Sequence, residues 1–413
     1  SRGLGDVYKR QEIPKYIGKE DVLGYSTGFS VNEGVLSVVV GRGDYIICDD
    51  RDHASIVDGR RLSFATQLHY KHNDMEDLER VLAKLPHEAI KLIVVDGVFS
   101  MEGDLAKLPQ IVELKHKYNC SVMVDEAHGI GVFGREGRGV CDHFGLTDEV
   151  DLIMGTFSKS LASIGGFIAS DFDTINWLRH TSRTYIFSAS NSPAATAAAL
   201  EALHILQKEP ERIEHLWDVT NYALKRFREE GFEIGDTESP IIPLYVHDVD
   251  KTFLVTKLAY DAGVFINPVI PPACAPQDTL VRFALMATHT KDQVDQAIRP
   301  EKALLGIRKA MGAKERTILA QFVTEAATTS ALGGTLGIIL GYIVSAIANQ
   351  VLPMFTDGMD ITVSPSFNSI AAAFGISVFI GVLFGYLPAK RAARLNPCLL
   401  YTSPSPRDRS VSR

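Results

Sequence analysis

The chain has 413 residues, enough for two to four domains with sizeable hydrophobic cores. Charged residues make up 22% of it and its formal net charge is −8 at pH 7, which excludes a nucleic-acid-binding protein that relies on phosphate contacts. The five cysteines have no CxxC spacing, so the pattern favours a reducing, cytoplasmic compartment and does not indicate a metal site.

Up to about residue 300, short apolar runs alternate with amphipathic helical patterns. Residues 91–100 (KLIVVDGVFS) and 120–129 (CSVMVDEAHG) are typical of buried strands that end in polar residues. Residues 105–119 between them have helical periodicity. This β–α–β alternation predicts a mostly parallel sheet covered by helices, with chemistry at the carboxyl ends of the strands.

Three residues suggest what that chemistry is. Lys159 lies in MGTFSKSLASIGGF (154–167), among hydroxyl-bearing and small residues and without acidic neighbours, as a partly neutral, covalently acting lysine requires. Asp125 ends the second predicted strand, and His128 follows three positions later. A carboxylate can keep a pyridine nitrogen protonated, an imidazole can reach a phenolic oxygen, and hydroxyls can hold a phosphate, as pyridoxal 5′-phosphate demands.

Each of these residues also has a simpler explanation. Taken singly, they could be a loop lysine, a helix-capping aspartate and a structural histidine. Their order and spacing together favour a cofactor site.

Seven segments in chain order resemble the α-oxoamine synthase family of fold-type I pyridoxal-phosphate enzymes, and the resemblance covers residues 12–299. The segments are YSTGFSVNEGV (25–35), DRDHASIVDG (50–59), DGVFSMEGD (96–104), VDEAHGIGVFG (124–134), GTFSKSLASIGGF (155–167), IFSAS (186–190) and VRFALMATHT (281–290). The resemblance implies a cofactor-binding large domain over residues 12–190, truncated at its amino terminus. It also implies helices on both sheet faces, and a smaller C-terminal α+β domain with connecting helices over residues 191–300.

The same resemblance assigns roles to individual residues. Lys159 would bind the cofactor covalently and later move the α-proton, Asp125 would pair with the pyridine nitrogen, and His128 with the ring oxygen. His53 would stack on the ring, and Arg282 would grip the amino-acid carboxylate; a loop histidine and a strand-end salt bridge are the alternatives. Further cofactor contacts are expected from Gly28, Phe29, Ser100, Thr156, Ser188 and Ser190, the last two from the neighbouring subunit of a homodimer.

The implied reaction is the decarboxylative condensation of an amino acid with an acyl-CoA to an aminoketone. Residues 25–29, 72–82 and 263–278 are most similar to bacterial serine palmitoyltransferase-like members. We therefore expect serine and a long-chain acyl-CoA as substrates, with 3-ketosphinganine as the product. Glycine C-acetyltransferase and 8-amino-7-oxononanoate synthase remain alternatives.

Beyond residue 300 the composition changes. Residues 326–356 and 361–389 contain no Asp, Glu, Lys or Arg, and within them residues 329–352 and 369–387 are each long enough to span a bilayer. Basic clusters flank this region and the loop between the two spans has no basic residue, which predicts that both flanks are cytoplasmic. Two buried core helices are the alternative.

Residues 304–397 resemble the carboxyl end of the permease in MacB/FtsX-type ABC exporters. GIRKAMGAKERTILAQFVTEA (306–326) and LFGYLPAKRAARLNP (383–397) carry the resemblance. It implies a permease-like segment over residues 301–397 in the inner membrane, with the enzyme part in the cytoplasm. A membrane transport component is therefore the rival function, and both a natural fusion and a chimera joined near residue 300 remain open.

The two ends of the chain have an unusual relation to each other. One short DNA can encode SRGLGDVYKRQ (1–11) on one strand and CLLYTSPSPRD, in the tail 398–413, on the other. We therefore expect both ends to be adaptor-like artefacts and exclude them from the domains.

Overall fold

The structure is a computed structural model, and it describes residues 12–298, 315–351 and 364–394. The predicted adaptor-like ends and the predicted junction near residue 300 lie outside these ranges. Everything below concerns the described residues.

Contacts divide the chain into two compact units. The first runs to Tyr245 and includes Ile266–Ile298; the second consists of Val246–Phe265 and the described residues beyond position 298. The predicted boundary between residues 190 and 191 falls inside the first unit and stays a prediction.

The first unit is built on a seven-stranded sheet with strand order β1-β7-β6-β5-β4-β2-β3. Neighbouring strands from β6 to β3 are parallel, whereas β7 is antiparallel to both β6 and β1. The predicted mostly parallel sheet is thus confirmed, with an antiparallel edge. The strands are β1 Asp21–Tyr25, β2 Tyr45–Asp49, β3 Thr66–Tyr70, β4 Lys91–Asp96, β5 Ser121–Asp125, β6 Leu152–Thr156 and β7 Gly166–Ser170.

Helices alternate with the strands along the chain. The segment predicted to be helical over residues 105–119 forms α5, which ends where Asn119 adopts a left-handed conformation (φ 51°). The helices are α1 (12–17), α2 Gly28–Val39, α3 Ala54–Leu62, α4 Met75–Leu82, α5 Leu108–Tyr118, α6 Val140–His143, α7 Phe172–Thr181, α8 Arg183–Ile186, α9 Pro193–Lys208, α10 Glu211–Glu229, α11 Val249–Asp261 and α12 Lys291–Ile298.

The hydrophobic core lies on both faces of this sheet. All six residues of β4 are buried, because successive side chains point to opposite faces and helices cover each face. Ile93 and Val95 pack in one core with α1, α4, α5 and α9. Leu92 and Val94 pack in the other core with α2, α3, α7 and α8. This burial explains why the central strands have no polar alternation.

A second, three-stranded antiparallel sheet has the order β8-β10-β9, formed by β8 Ile241–Tyr245, β9 Asn267–Val269 and β10 Leu280–Ala284. Helix α10 packs on it, since the rings of Phe227 and Phe283 meet edge to face with their centroids 5.1 Å apart. The hydroxyl of Tyr222 in α10 donates to the Asp295 carboxylate in α12. This sheet matches the expected smaller α+β part.

Two long helices, Glu315–Val351 and Phe367–Arg394, form most of the second unit. They pack closely, because a side chain at Gly334 would come within 2.9 Å of the Phe374 ring. Within the described residues, Ala326–Asn349 is one helical stretch long and apolar enough to cross a membrane, whereas the apolar stretch Phe367–Leu383 is shorter. The second predicted span therefore remains a proposal.

Candidate active site

A cavity of about 340 Å³ opens at the carboxyl ends of the central strands. Asp96 and Asp125 end β4 and β5 and lie side by side in the register of the sheet. Eight of the predicted site residues line this cavity: Gly28, Phe29, His53, Ser100, Asp125, His128, Thr156 and Lys159. The sheet thus brings together residues that are up to 131 positions apart by number, from Gly28 to Lys159.

One end of the cavity is suited to an anion. Helix α2 begins there, capped by the Thr27 side chain, which accepts a hydrogen bond from the backbone N–H of Ser30. The free N–H groups of a helix's first turn attract negative charge. Gly28 keeps this end open, because a Cβ atom there would lie 2.9 Å from Thr156 Oγ1. A phosphate fits this cradle, and the Thr156 hydroxyl lies beside it.

Lys159 follows β6 and its side chain is exposed at the cavity. Partial loss of hydration nevertheless lowers the pKa of its amine below the ordinary value. The carboxylates of Asp125 and Asp96 oppose this lowering, and the Arg282 cation adds to it. A larger neutral fraction of the amine is what a nucleophilic or proton-transferring lysine needs.

Asp125 is buried, and both of its carboxylate oxygens accept hydrogen bonds. Asn32 Nδ2 donates to Oδ2 at 2.7 Å, and the backbone N–H of Ala127 donates to Oδ1 at 2.9 Å. These donors fix the orientation of the carboxylate at the end of β5. It can therefore face a protonated ring nitrogen in the cavity without rearrangement.

Two histidines also line the cavity. Burial lowers the pKa of His53, against the attraction of Asp125. Burial, together with the Lys159 and Arg282 cations, holds the pKa of His128 well below its usual range. Both shifts favour the neutral form of the imidazole. The Phe29 ring meets the His53 ring edge to face, with 6.3 Å between centroids.

Three predicted residues lie outside the cavity lining. Arg282 on β10 reaches its edge, where Nη1 donates to the carbonyl of Ser100 at 3.1 Å. The Nε of Arg282 is buried and has no hydrogen-bond partner within the part of the chain that the structure describes. That free donor is suited to a carboxylate. Ser188 and Ser190 are exposed in the segment after α8, and their expected role in a neighbouring subunit stays a prediction.

The sequence prediction missed four residues at this site. Asp96 and Ser55 line the cavity, and Asn32 supports Asp125 from behind. Thr27 caps the helix that forms the anion cradle. Asn32 had a detectable signal, since it is a polar residue among the apolar positions of a helix that is buried there.

A lysine, a strand-end aspartate and a helix N-terminus around one cavity, on a mostly parallel sheet, define a fold-type I pyridoxal-phosphate enzyme. The chain belongs to the aminotransferase class I and II family, whose model matches residues 5–300. A second model, the FtsX-like permease C-terminal, matches residues 296–397. Both predicted resemblances are thereby confirmed, and so is pyridoxal 5′-phosphate as the cofactor.

Individual relatives are similar over most of this part. A serine palmitoyltransferase of Bacteroides ovatus is 75% identical over 292 residues, 71% of this chain and 74% of that protein. An 8-amino-7-oxononanoate synthase of Thermoanaerobacter pseudethanolicus is 41% identical over 72% of this chain and 76% of that protein. The solved Sphingomonas wittichii serine palmitoyltransferase is 37% identical with a TM-score of 0.69, covering 71% of this chain and 74% of that one. A solved serine palmitoyltransferase from S. paucimobilis with bound PLP and myriocin is 32% identical with a TM-score of 0.71. The match covers 76% of this chain and 78% of that one.

Proposed function

We propose that the enzyme part catalyses the decarboxylative condensation of L-serine with a long-chain acyl-CoA to an aminoketone, as a serine palmitoyltransferase-like enzyme. The observation that carries this proposal is one cavity with the amine of Lys159 and the fixed carboxylate of Asp125 on its walls. The 75% identity to a serine palmitoyltransferase supports the choice of substrates.

The residues around the cavity would divide the work as follows. When bound, pyridoxal phosphate supplies an electron sink that makes the α-hydrogen of the amino acid acidic. Asp125 would hold a proton on the ring nitrogen, and the amine of Lys159, with its lowered pKa, would take up the α-proton. His53 would cover one face of the cofactor ring, and His128 would contact its ring oxygen.

Binding and orientation would come from other groups. Gly28, Phe29, Thr156 and, beyond them, Ser188 of a second copy would hold the phosphate through backbone N–H groups and hydroxyls. Ser100 would contact the ring region, and Arg282, beside it, would grip the substrate carboxylate as a bidentate fork. These placements orient the amino acid for attack on the thioester.

The test uses the full chain in detergent with pyridoxal phosphate. We expect a visible absorption band that borohydride fixes covalently on the peptide containing Lys159, and no such adduct in Lys159→Ala. Lys107→Ala is the matched control, since Lys107 is exposed at the start of α5. A colourless wild-type protein under saturating cofactor would overturn the proposal.

Substrate choice is a separate measurement. L-Serine should change the absorption spectrum more than glycine or L-alanine, and palmitoyl-CoA should then release free CoA. A response to glycine with acetyl-CoA would instead identify a glycine C-acetyltransferase. A response to L-alanine with a dicarboxylic acyl thioester would identify an 8-amino-7-oxononanoate synthase.

We also propose that the enzyme part forms a homodimer in the cytoplasm and that residues 329–387 hold the chain in the inner membrane. The FtsX-like match and the apolar helix Ala326–Asn349 support the membrane association. We expect the chain to float with membranes after alkaline washing. We also expect a protease to reach the enzyme part from the cytoplasmic side only. Loss of the chain from the membrane fraction would contradict it.

A further inference from the structure

A continuous hydrogen-bond chain joins residues that line the cavity, with Asn32 behind them as its link. Asn32 Nδ2 donates to Asp125 Oδ2 at 2.7 Å and to Ser55 Oγ at 2.9 Å. Ser55 Oγ in turn lies 2.7 Å from His53 Nδ1, and the backbone N–H of Ser55 donates to the same nitrogen at 3.2 Å. The chain therefore joins the carboxylate of Asp125 to the ring of His53.

The direction of each hydrogen bond follows from which groups can donate. The orientation of the Asn32 amide is set by Asp125, because a carboxylate can only accept and the amide must turn its NH₂ group towards it. Ser55 Oγ then accepts from Asn32, which leaves its single hydrogen for His53 Nδ1. The backbone N–H of Ser55 can only donate as well. Both of these hydrogen bonds are satisfied when His53 Nδ1 is the acceptor and carries no hydrogen.

The amide of Asn32 is used only for its donors. Asn32 is fully buried, and its Oδ1 has no hydrogen-bond partner among the described residues. An unpaired buried carbonyl is unfavourable, so its persistence indicates that the two contacts made by Nδ2 outweigh that cost.

We infer that Asn32 and Ser55 are positioning residues that lock His53 as the neutral imidazole with its hydrogen on Nε2. The lock exists in the chain itself, and it rests on the proposed function only for its effect on turnover. It also couples the orientation of the Asp125 carboxylate to the tautomer of the histidine proposed to cover the cofactor ring. One face of the site is thereby given a fixed N–H donor and no charge.

The charges around His53 have opposite effects on the protonation of its ring, so hydrogen bonds that fix the neutral form have a role. Asp125 favours the charged ring, whereas Lys159 and burial disfavour it. Asp96 accepts a hydrogen bond from the backbone N–H of His53 at 2.8 Å, and His128 also lines the cavity. With two donors at Nδ1, protonation there would require a hydrogen bond to be broken. The lock opposes the attraction of Asp125.

The test uses the full chain in detergent with ¹⁵N-labelled histidine, before and after pyridoxal phosphate is added. The His53 signals are assigned by their loss in His53→Gln. Two-bond ¹H–¹⁵N correlation should show His53 protonated on Nε2 and unprotonated on Nδ1. A hydrogen on Nδ1 in the wild-type protein would overturn the inference whether or not any variant folds.

Variants then identify the groups that impose the lock. Hydrogen–deuterium exchange at Cε1, read by mass spectrometry, gives the proton affinity of His53. Ser55→Ala should raise the proton affinity of His53 roughly fivefold, which is the effect of losing about one hydrogen bond. Ser55→Thr keeps the hydroxyl and should return the affinity to the wild-type value. Ser37→Ala is the matched control, because the Ser37 hydroxyl, on the same helix as Asn32, donates to the carbonyl of Gly34.

The outcomes separate the two proposals. Equal His53 affinities in Ser55→Ala and Ser37→Ala would refute the lock, even in an active enzyme. Asn32→Ala, which removes the donor to Ser55, should give a mixture of the two neutral tautomers. If serine is not a substrate but the tautomer and the Ser55 effect are as expected, the lock stands and only the proposed reaction fails.

Discussion

The His72 ring is clamped between two carboxylates, and we expect this clamp to make the stability of the first unit depend on pH. Nδ1 lies 2.9 Å from Asp49 Oδ1, and Nε2 lies 3.0 Å from Asp104 Oδ2. Burial opposes the charged ring, but the hydrogen bonds with Asp104 and Asp49 outweigh it and raise the pKa of His72 from 6.5 to about 9. His72→Gln keeps a donor and removes the charge.

The direction and the size of this pH effect on the free energy of unfolding follow from proton linkage. Because the folded chain binds the His72 proton more tightly than the unfolded chain, the stabilisation is complete below pH 6.5 and is lost as the pH rises to about 9. A rise of that size corresponds to roughly 3 kcal/mol, of which we expect roughly 2 kcal/mol to remain after solvent screening. His72→Gln should lose that stability at pH 6 and differ little from wild type at pH 10.

The assay is chemical unfolding of the full chain, followed by tryptophan fluorescence at several pH values. Both tryptophans of the chain, Trp177 and Trp217, lie in the first unit, so the signal reports that unit. His87→Gln is the matched control, since the His87 ring is exposed. If wild type and His72→Gln lose stability in parallel between pH 6.5 and 9, the reasoning is wrong.

Three further changes test the site. Gly28→Ala would place a Cβ 2.9 Å from Thr156 Oγ1. Pyridoxal phosphate should therefore bind at least about tenfold more weakly in a fluorescence titration, a loss of about 1.4 kcal/mol of binding free energy. An unchanged affinity would rule out the proposed phosphate cradle. Arg282→Lys loses the bidentate fork and should raise the KM for serine roughly tenfold, while the KM for acyl-CoA stays constant. An equal rise in the two KM values would exclude the proposed contact between Arg282 and the substrate carboxylate. Asp125→Asn should lower kcat on the order of a hundredfold with the fold intact, because the ring nitrogen loses its anionic partner; steady-state rates near wild type would contradict that role.

The central part of the fold was predictable because its signals are local. Residues 91–100 contain a continuous apolar run (92–95), and the observed strand β4 ends at Asp96, the first polar residue after that run. Residues 120–129 give β5, which ends at Asp125 in the same way. The antiparallel edge formed by β1 and β7 was not predicted, since strand direction depends on tertiary connections rather than on local periodicity.

The site shows the same division between local and distant information. Lys159, Asp125 and His128 could be chosen because residue type and spacing carry their chemistry. Asn32 stands out as a polar residue in the buried part of α2, but its role could not be assigned, because its two partners lie 23 and 93 positions away in the sequence. Only the packing of α2 against the sheet brings those partners to it.

One consequence concerns how α3 begins. His53 is the N-cap of that helix, and its own Nδ1 accepts the Ser55 backbone N–H. His53 Nδ1 therefore caps the first turn of α3 and also fixes the orientation of the imidazole that lines the cavity. An aromatic replacement of similar flatness, such as phenylalanine, would preserve the stacking surface but leave the helix without its first acceptor. Selection for catalysis and selection for correct folding consequently act on a single nitrogen, and this position has little freedom to drift.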